Sequence, residues 1–414
     1  MGRLFLSAIP HRARTLYHVR YRVAIVFFIV TLLQQHHLYL VSRQSLSEKY
    51  SATNFDARSG DLQPRYWGPD DEDSQFQHKL LANREDWKLL GEGFEGKVFA
   101  YQDSVIKTFI PGRSPFRNCA PNSAARWPTE IPASLRFGGS SPMDDVGDEA
   151  SNDTKTAYTG FLPVKAHFMA STSSGHPEEW HLVTPLVTGG TLVSLAETHS
   201  TEQKAKSYRE IDALYRPAFN SLLESMATFH DAGYCHDDIK PSNVFIQDGS
   251  QWVIGDLGNV REISHPYHSS RIWKENQQLA DCRANDVVRA LQSYLKFIQS
   301  CMADDDAFNT ALFESEEPTS KLLWWTLADA SGMSAEQLRQ RSIIEHPEAA
   351  PELENKKRFP APAQPHTLLR IFSKRAATKL AAEHVLMTRM DERSARLWGL
   401  VWLFGVPDSG HCGA

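Results

Sequence analysis

The segment His236-Asp237-Asp238-Ile239-Lys240-Pro241-Ser242-Asn243 constrains this chain more than any other. It is followed by the apolar triplet Val244-Phe245-Ile246, a turn, and Trp252-Val253-Ile254 leading into Gly255-Asp256-Leu257-Gly258. A second pattern lies upstream, where Gly91-Glu92-Gly93-Phe94-Glu95-Gly96-Lys97-Val98 fits G-x-G-x-x-G-x-V between the strand-like runs Trp87 to Leu90 and Phe99 to Tyr101. Glycines let backbone approach phosphate oxygens with no Cβ in the way. A dinucleotide-binding loop would lead into a helix, whereas here a turn at Gln102-Asp103 leads to another strand, which ends in Lys107.

The order of patterns gives the organisation. From Trp87 short apolar runs broken by glycine predict strands, and after about residue 210 helical periodicity takes over. Phe219, Leu222, Leu223, Met226 and Phe229 make one helical face, and Val287, Val288, Leu291, Leu295 and Ile298 another. Residues 139–159, rich in acid, Ser and Gly, read as a loop insertion. The Pro-rich stretch 346–365 reads as a connection to a last helical region, Thr367 to Phe404.

Taken together, the glycine loop, the strand lysine, H-x-D-x-K-x-x-N and D-x-G eighteen residues after Asp238 resemble the eukaryotic protein kinase superfamily, serine/threonine type, over residues 87 to about 300. The resemblance implies an α+β, bilobal protein-kinase-like fold, with a small β-rich N-lobe over 85–187 and a larger α-helical C-lobe over 188–405, then a tail over 406–414. It implies Mg²⁺ and ATP, with Gly91, Gly93, Gly96 and Val98 over the phosphates and Lys107 on the α/β-phosphates. Backbone around Leu186 to Thr188 would meet adenine, and Asn243 and Asp256 would hold the metal. Asp238 would take the proton of the attacking hydroxyl, and Lys240 would neutralise the transferring group. Glu130 is the expected partner of Lys107, with Glu149 its rival. ATP and a protein substrate are the expected partners, and the chain is expected to act as a monomer.

Three departures qualify this. Asp237 replaces the arginine that ordinarily follows the histidine, so a cation that reads a phosphorylated activation loop is missing. Leu257 stands for Phe in the D-x-G triplet, and no A-P-E occurs before Asp286, which resembles the start of the central C-lobe helix. These features leave a membrane-tethered pseudokinase that binds nucleotide or a partner as an alternative, and a small-molecule kinase as a third reading. Together with Gly255 to Glu262 and the closing Trp398 to Gly405, they resemble a group of fungal kinase-like proteins of poorly defined substrate.

Charge is unevenly spread. Residues 1–47 carry six arginines and no acid, so a net charge of -6 leaves -6 - 6 = -12 on the rest. That acidic bulk argues against nucleic-acid binding. With 41% hydrophobic residues the chain is neither disordered nor collagen-like. The basic head, 1–22, precedes residues 23–41, which carry no formal charge and at ~1.5 Å per residue would just span a bilayer core as a helix. An N-terminal membrane-anchor helix is therefore expected, with a mitochondrial or peripheral targeting segment as the alternative. Five arginines ahead of the segment favour a cytoplasmic head with the domain on the far side. Asn152, in Asn-Asp-Thr, would then be open to glycosylation. Residues 42–84 read as a linker. The five cysteines, odd in number and without C-x-x-C, suggest buried thiols and no complete disulfide framework.

Overall fold

The computed structural model describes residues 8–55, 72–93, 96–110, 116–120, 126–139, 159–171, 177–201, 206–247, 251–314, 316–348, 373–388, 390 and 392–407. Glu149 and Asn152 therefore lie outside the described residues, as does all of the expected insertion except its two ends.

Helix α1 (Ala8–Lys49) runs far beyond the apolar segment. From Val19 to Leu40 its side chains are largely exposed. It is the one helix among the described residues that is long and apolar enough to cross a membrane, with a mean hydropathy of 1.6. Burial then begins at Ser42 and recurs at Ser45, Leu46, Lys49 and Tyr50. That three- and four-residue spacing marks one face of a helix entering a folded domain. The linker expected over 42–84 is thus corrected. Residues 42–55 pack into the domain because their polar groups find distant partners, and α2 (Glu72–Ala82) lays Leu80 against Trp87, Ile106 and Phe168.

Strands β1 (Lys88–Glu92), β2 (Gly96–Tyr101) and β3 (Ser104–Phe109) come next. The short pair β4 (Asn118–Cys119) and β5 (Arg126–Trp127) then leads to α3 (Glu130–Phe137). With β6 (Ala166–Ser171) and β7 (Glu178–Pro185), the first three strands form an antiparallel sheet in the order β1-β2-β3-β7-β6. The period-two alternation of a strand turns Ile106 into the core beneath α2 and puts Lys107 on the other face.

The helical part opens with α4 (Leu192–Thr201) and α5 (Tyr208–Asp231). Ser207 and Glu210 close a capping box at the start of α5, satisfying helix-end donors. After β8 (Tyr234–Cys235), β9 (Val244–Ile246), β10 (Trp252–Ile254), β11 (Arg261–Glu262) and α6 (Arg271–Glu275) comes the central helix α7 (Cys282–Ser300). Phe219 of α5 stacks on Tyr294 of α7 with centroids 4.3 Å apart, so the two apolar faces expected from periodicity meet. Helices α8 (Asp306–Ala311), α9 (Pro318–Ala328), α10 (Ala335–Ile344), α11 (Lys374–Val385), α12 (Arg393–Trp398) and α13 (Val401–Phe404) follow among the described residues.

The cysteine expectation is also corrected. Cys235 and Cys282 form a disulfide that ties β8 to the first residue of α7, and Cys119 is disulfide-bonded as well. Neither follows from spacing, because the sequence separation of 47 between Cys235 and Cys282 is closed by tertiary packing.

Candidate active site

The glycine loop is built for close approach. A Cβ on Gly96 would lie 1.7 Å from the Thr108 carbonyl oxygen, so only glycine lets β2 pair with β3 here. A Cβ on Gly91 or Gly93 would meet nothing within 4 Å, so both glycines border open space. The Gly93 N–H donates to the Gly96 carbonyl at 2.9 Å and closes the hairpin. Val98 lies directly opposite Lys107 in the β2–β3 register.

Lys107 joins three parts of the fold. Its Nζ lies 2.5 Å from Glu130 Oε2, at the first residue of α3, and 2.8 Å from Asp256 Oδ1. Burial alone would lower the ammonium, but the Asp256 and Glu130 carboxylates outweigh it and hold it above its ordinary value. The same ammonium pulls Asp256 down to about 2, against the opposing effect of burial. Asp256 takes the left-handed conformation, φ 55° and ψ 58°, which turns the chain sharply after β10. Its side chain stays 38% exposed, whereas that of Glu130 is 7% exposed.

The loop from His236 to Asn243 hangs from the helical core by its backbone. The Asp286 carboxylate, fully buried near the start of α7, accepts the N–H of His236 at 2.6 Å and of Asp237 at 2.9 Å. His236 Nε2 lies 3.1 Å from the Gly255 carbonyl, and its Nδ1 accepts the Asp238 N–H at 3.2 Å. A proton on Nε2 satisfies both contacts. Lys240 Nζ donates to Asp238 Oδ2 at 2.7 Å, and Asn243 Nδ2 donates to the Asp238 carbonyl at 3.0 Å. Asn243 is placed by the β9–β10 hairpin, where its carbonyl accepts the Gly255 N–H at 2.9 Å, one residue before Asp256.

The donor chemistry fits a magnesium nucleotide. Asp256 and Asn243 supply a carboxylate and an amide, Lys107 supplies a half-buried ammonium, and the glycine pair borders open space. At the hinge, Leu186 donates its N–H to the Asp103 carbonyl at 2.8 Å, and Thr188 is exposed just past the end of β7. Two expected site residues thus lie there at the strand exit, with one backbone donor already used inside the protein.

Sequence reasoning missed the surroundings of Asp237. This residue is 1% exposed, with φ 62°. Arg261 Nη1 lies 3.0 Å and His268 Nε2 2.9 Å from its Oδ2, while Arg289 donates to its carbonyl at 2.6 Å. Burial opposes its ionisation, but His268, Arg261 and Arg289 hold the carboxyl down at about 2. A guanidinium does meet this position, but it comes from β11, is buried, and is neutralised by the acid itself. The signal was an acid where a cation is usual, which asks for a cation nearby.

Residues 45–55 brace the same region. Arg261 Nη2 donates to the Lys49 carbonyl at 3.2 Å, and Thr53 Oγ1 donates to the Val260 carbonyl at 3.0 Å. Ser45 Oγ accepts the Ile272 N–H at 2.9 Å, and the Tyr234 hydroxyl donates to the Asn54 carbonyl at 2.9 Å. Phe55 stacks on Tyr234 with centroids 5.7 Å apart.

A family model described as protein kinase domain matches residues 167–292. The eIF-2-alpha kinase GCN2 of Schizosaccharomyces pombe is 34% identical over 71 residues, covering 17% of this chain and 4% of that protein. Serine/threonine-protein kinase D of Synechocystis is 26% identical over 188 residues, covering 44% of this chain and 31% of that protein. The chain therefore spans less than a third of the length of either relative.

Proposed function

We propose that this chain, which belongs to the eukaryotic protein kinase superfamily, moves the γ-phosphoryl of Mg-ATP to serine or threonine hydroxyls of a protein. The observation that carries the reading is the Asp238 carboxylate held by Lys240 at 2.7 Å and steadied through its backbone by Asn243 and His236. Bound Mg-ATP supplies the transferable group and a cation that offsets its charge. Asp238 receives the proton of the attacking hydroxyl, and Lys240, already beside that carboxylate, offsets negative charge on the group in transfer. Lys107, fixed from both sides by Glu130 and Asp256, holds phosphate oxygens. Asn243 and Asp256 hold the metal. The relatives' printed names, two kinases of protein substrates, support the choice of acceptor.

The domain is further proposed to lie on the non-cytoplasmic side of a membrane crossed by α1. The apolar run of α1 and its arginine-rich head support this, as does the Cys235–Cys282 disulfide, a bond that persists in oxidising compartments.

The test uses the full chain in detergent or vesicles, with radiolabelled ATP, generic protein substrates and Asp238→Asn as control. Wild type is expected to incorporate label, and the variant to lose roughly a hundredfold or more while its nucleotide-dependent rise in melting temperature persists. Equal incorporation by both proteins, or none by either, overturns the catalytic reading. A nucleotide shift alone would then leave a binding protein.

A further inference from the structure

Helices α12 and α13 carry an apolar surface that the other described residues leave uncovered. Trp402 is 74%, Leu403 57% and Phe404 55% exposed, with Leu397 at 59% and Trp398 at 36%. So many bulky apolar side chains on consecutive turns need a cover.

These helices run antiparallel along the last turns of α1. Lys49 pairs with Glu392, and Arg396 donates to the Tyr50 hydroxyl at 3.0 Å. Further along, a Cβ on Gly399 would lie 2.8 Å from Leu46 Cδ1, so glycine is what lets this corner close on α1. Beyond it Arg43 donates to the Gly405 carbonyl, and the Phe404 ring lies 5.8 Å from that of Tyr39. Leu400, in the left-handed conformation at φ 48°, turns α13 so that Trp402 to Phe404 come out beside Tyr39. The patch therefore begins where the exposed apolar length of α1 begins. About 20 helical residues cross a bilayer core, and that count back from Tyr39 reaches Arg20, with Arg22 beside it. Basic residues then mark one boundary. Tyr39, Trp402, Phe404 and Arg43 mark the other, the mix that sits at a lipid–water boundary.

We infer that Trp402, Leu403 and Phe404 insert into the interfacial layer of the bilayer that α1 crosses, so that the catalytic domain is seated on the membrane at two adjoining points. The inference rests on α1 spanning. Its occupant is lipid because the patch continues the lipid-facing length of α1.

The experiment uses the full chain in phosphatidylcholine vesicles with brominated acyl chains, which quench nearby tryptophans. Helix α1 contains no tryptophan, so its own insertion adds no quenching. Brominated lipid is expected to quench wild type. Trp398→Phe with Trp402→Phe should lose most of that quenching, and Trp325→Phe, whose ring packs under Arg341, should keep it. Carbonate extraction of the same vesicles reads the span separately. A retained protein whose quenching ignores the double substitution overturns the seating and leaves the span intact. A protein released by carbonate overturns both. Trp402-dependent crosslinked dimers without quenching would put a second copy on the patch and overturn the lipid assignment. Trp402 is largely exposed and Trp398 partly so, and an unchanged melting temperature shows that the fold is kept.

Discussion

Replacing Asp237 by asparagine would leave the Arg261 guanidinium buried with no carboxylate to face. Arg261 is 0% and Asp237 1% exposed, and they meet at 3.0 Å. Breaking one side of such a pair costs about 3–5 kcal/mol, because the surviving charge keeps its desolvation penalty. At roughly 2 °C per kcal/mol for a domain of this size, the melting temperature should fall by about 6–10 °C. A cycle with Arg261→Met and the double variant isolates the pair, and its coupling is expected at about 2 kcal/mol or more. The pair also has a pH signature. Asp237 has its folded value depressed from 3.8 to about 2, so it adds stability above 3.8 that is lost as pH falls through about 2. His268 is raised above 6.5, chiefly by Asp237 acting against burial, so it adds stability below 6.5 that is lost as pH rises through its folded value. Both contributions are complete between 3.8 and 6.5. Urea unfolding from about pH 5 to about pH 9 should show wild type losing stability on the alkaline side, a slope that Asp237→Asn flattens. Additive single variants with identical pH slopes would refute the argument that this acid neutralises a buried cation.

Two further outcomes follow from the same geometry. Glu130→Gln keeps the shape but removes one of the two carboxylates on Lys107. A charge-assisted bond of about 1.5–3 kcal/mol corresponds to roughly a 10- to 100-fold loss in kcat/KM, and a change within about twofold in steady-state kinetics would show that Asp256 suffices. The Cys235–Cys282 bond closes a sequence separation of 47, worth about 4 kcal/mol on the chain-entropy account. Paired Cys235→Ala and Cys282→Ala substitutions should therefore lower the melting temperature, and the bond's share of any reductant effect on wild type should vanish in the variant. Stability untouched by the pair of substitutions would sink that assignment.

What the sequence made legible was local. The glycine hairpin, the strand carrying Lys107, which runs on to Phe109, and the run from His236 to Asp256 are each local patterns, so residue type and spacing suffice to mark them. The faces of α5 and α7 were equally readable, because helical periodicity is a property of the segment itself. What stayed hidden depends on partners far along the chain. Ser42, Ser45 and Thr53 gave 42–55 the composition of a linker, yet Ser45 bonds Ile272 and Thr53 bonds Val260, more than 200 residues away. The pairing of Asp237 with Arg261 and the closure of Cys235 on Cys282 are equally tertiary: an acid at 237 asks for a cation without saying which, and the cysteine spacing names no partner.

The brace formed by residues 45–55 bears on modularity. A cut just ahead of β1 would be expected to release a self-contained domain. Here such a cut would carry away Phe55, which belongs to the same apolar cluster as Phe137, Tyr234 and Leu257. It would also remove the carbonyl of Lys49 that receives Arg261. The folding unit therefore reaches back to Ser42, and an exchange of the preceding segment is compatible with a folded domain only upstream of that residue.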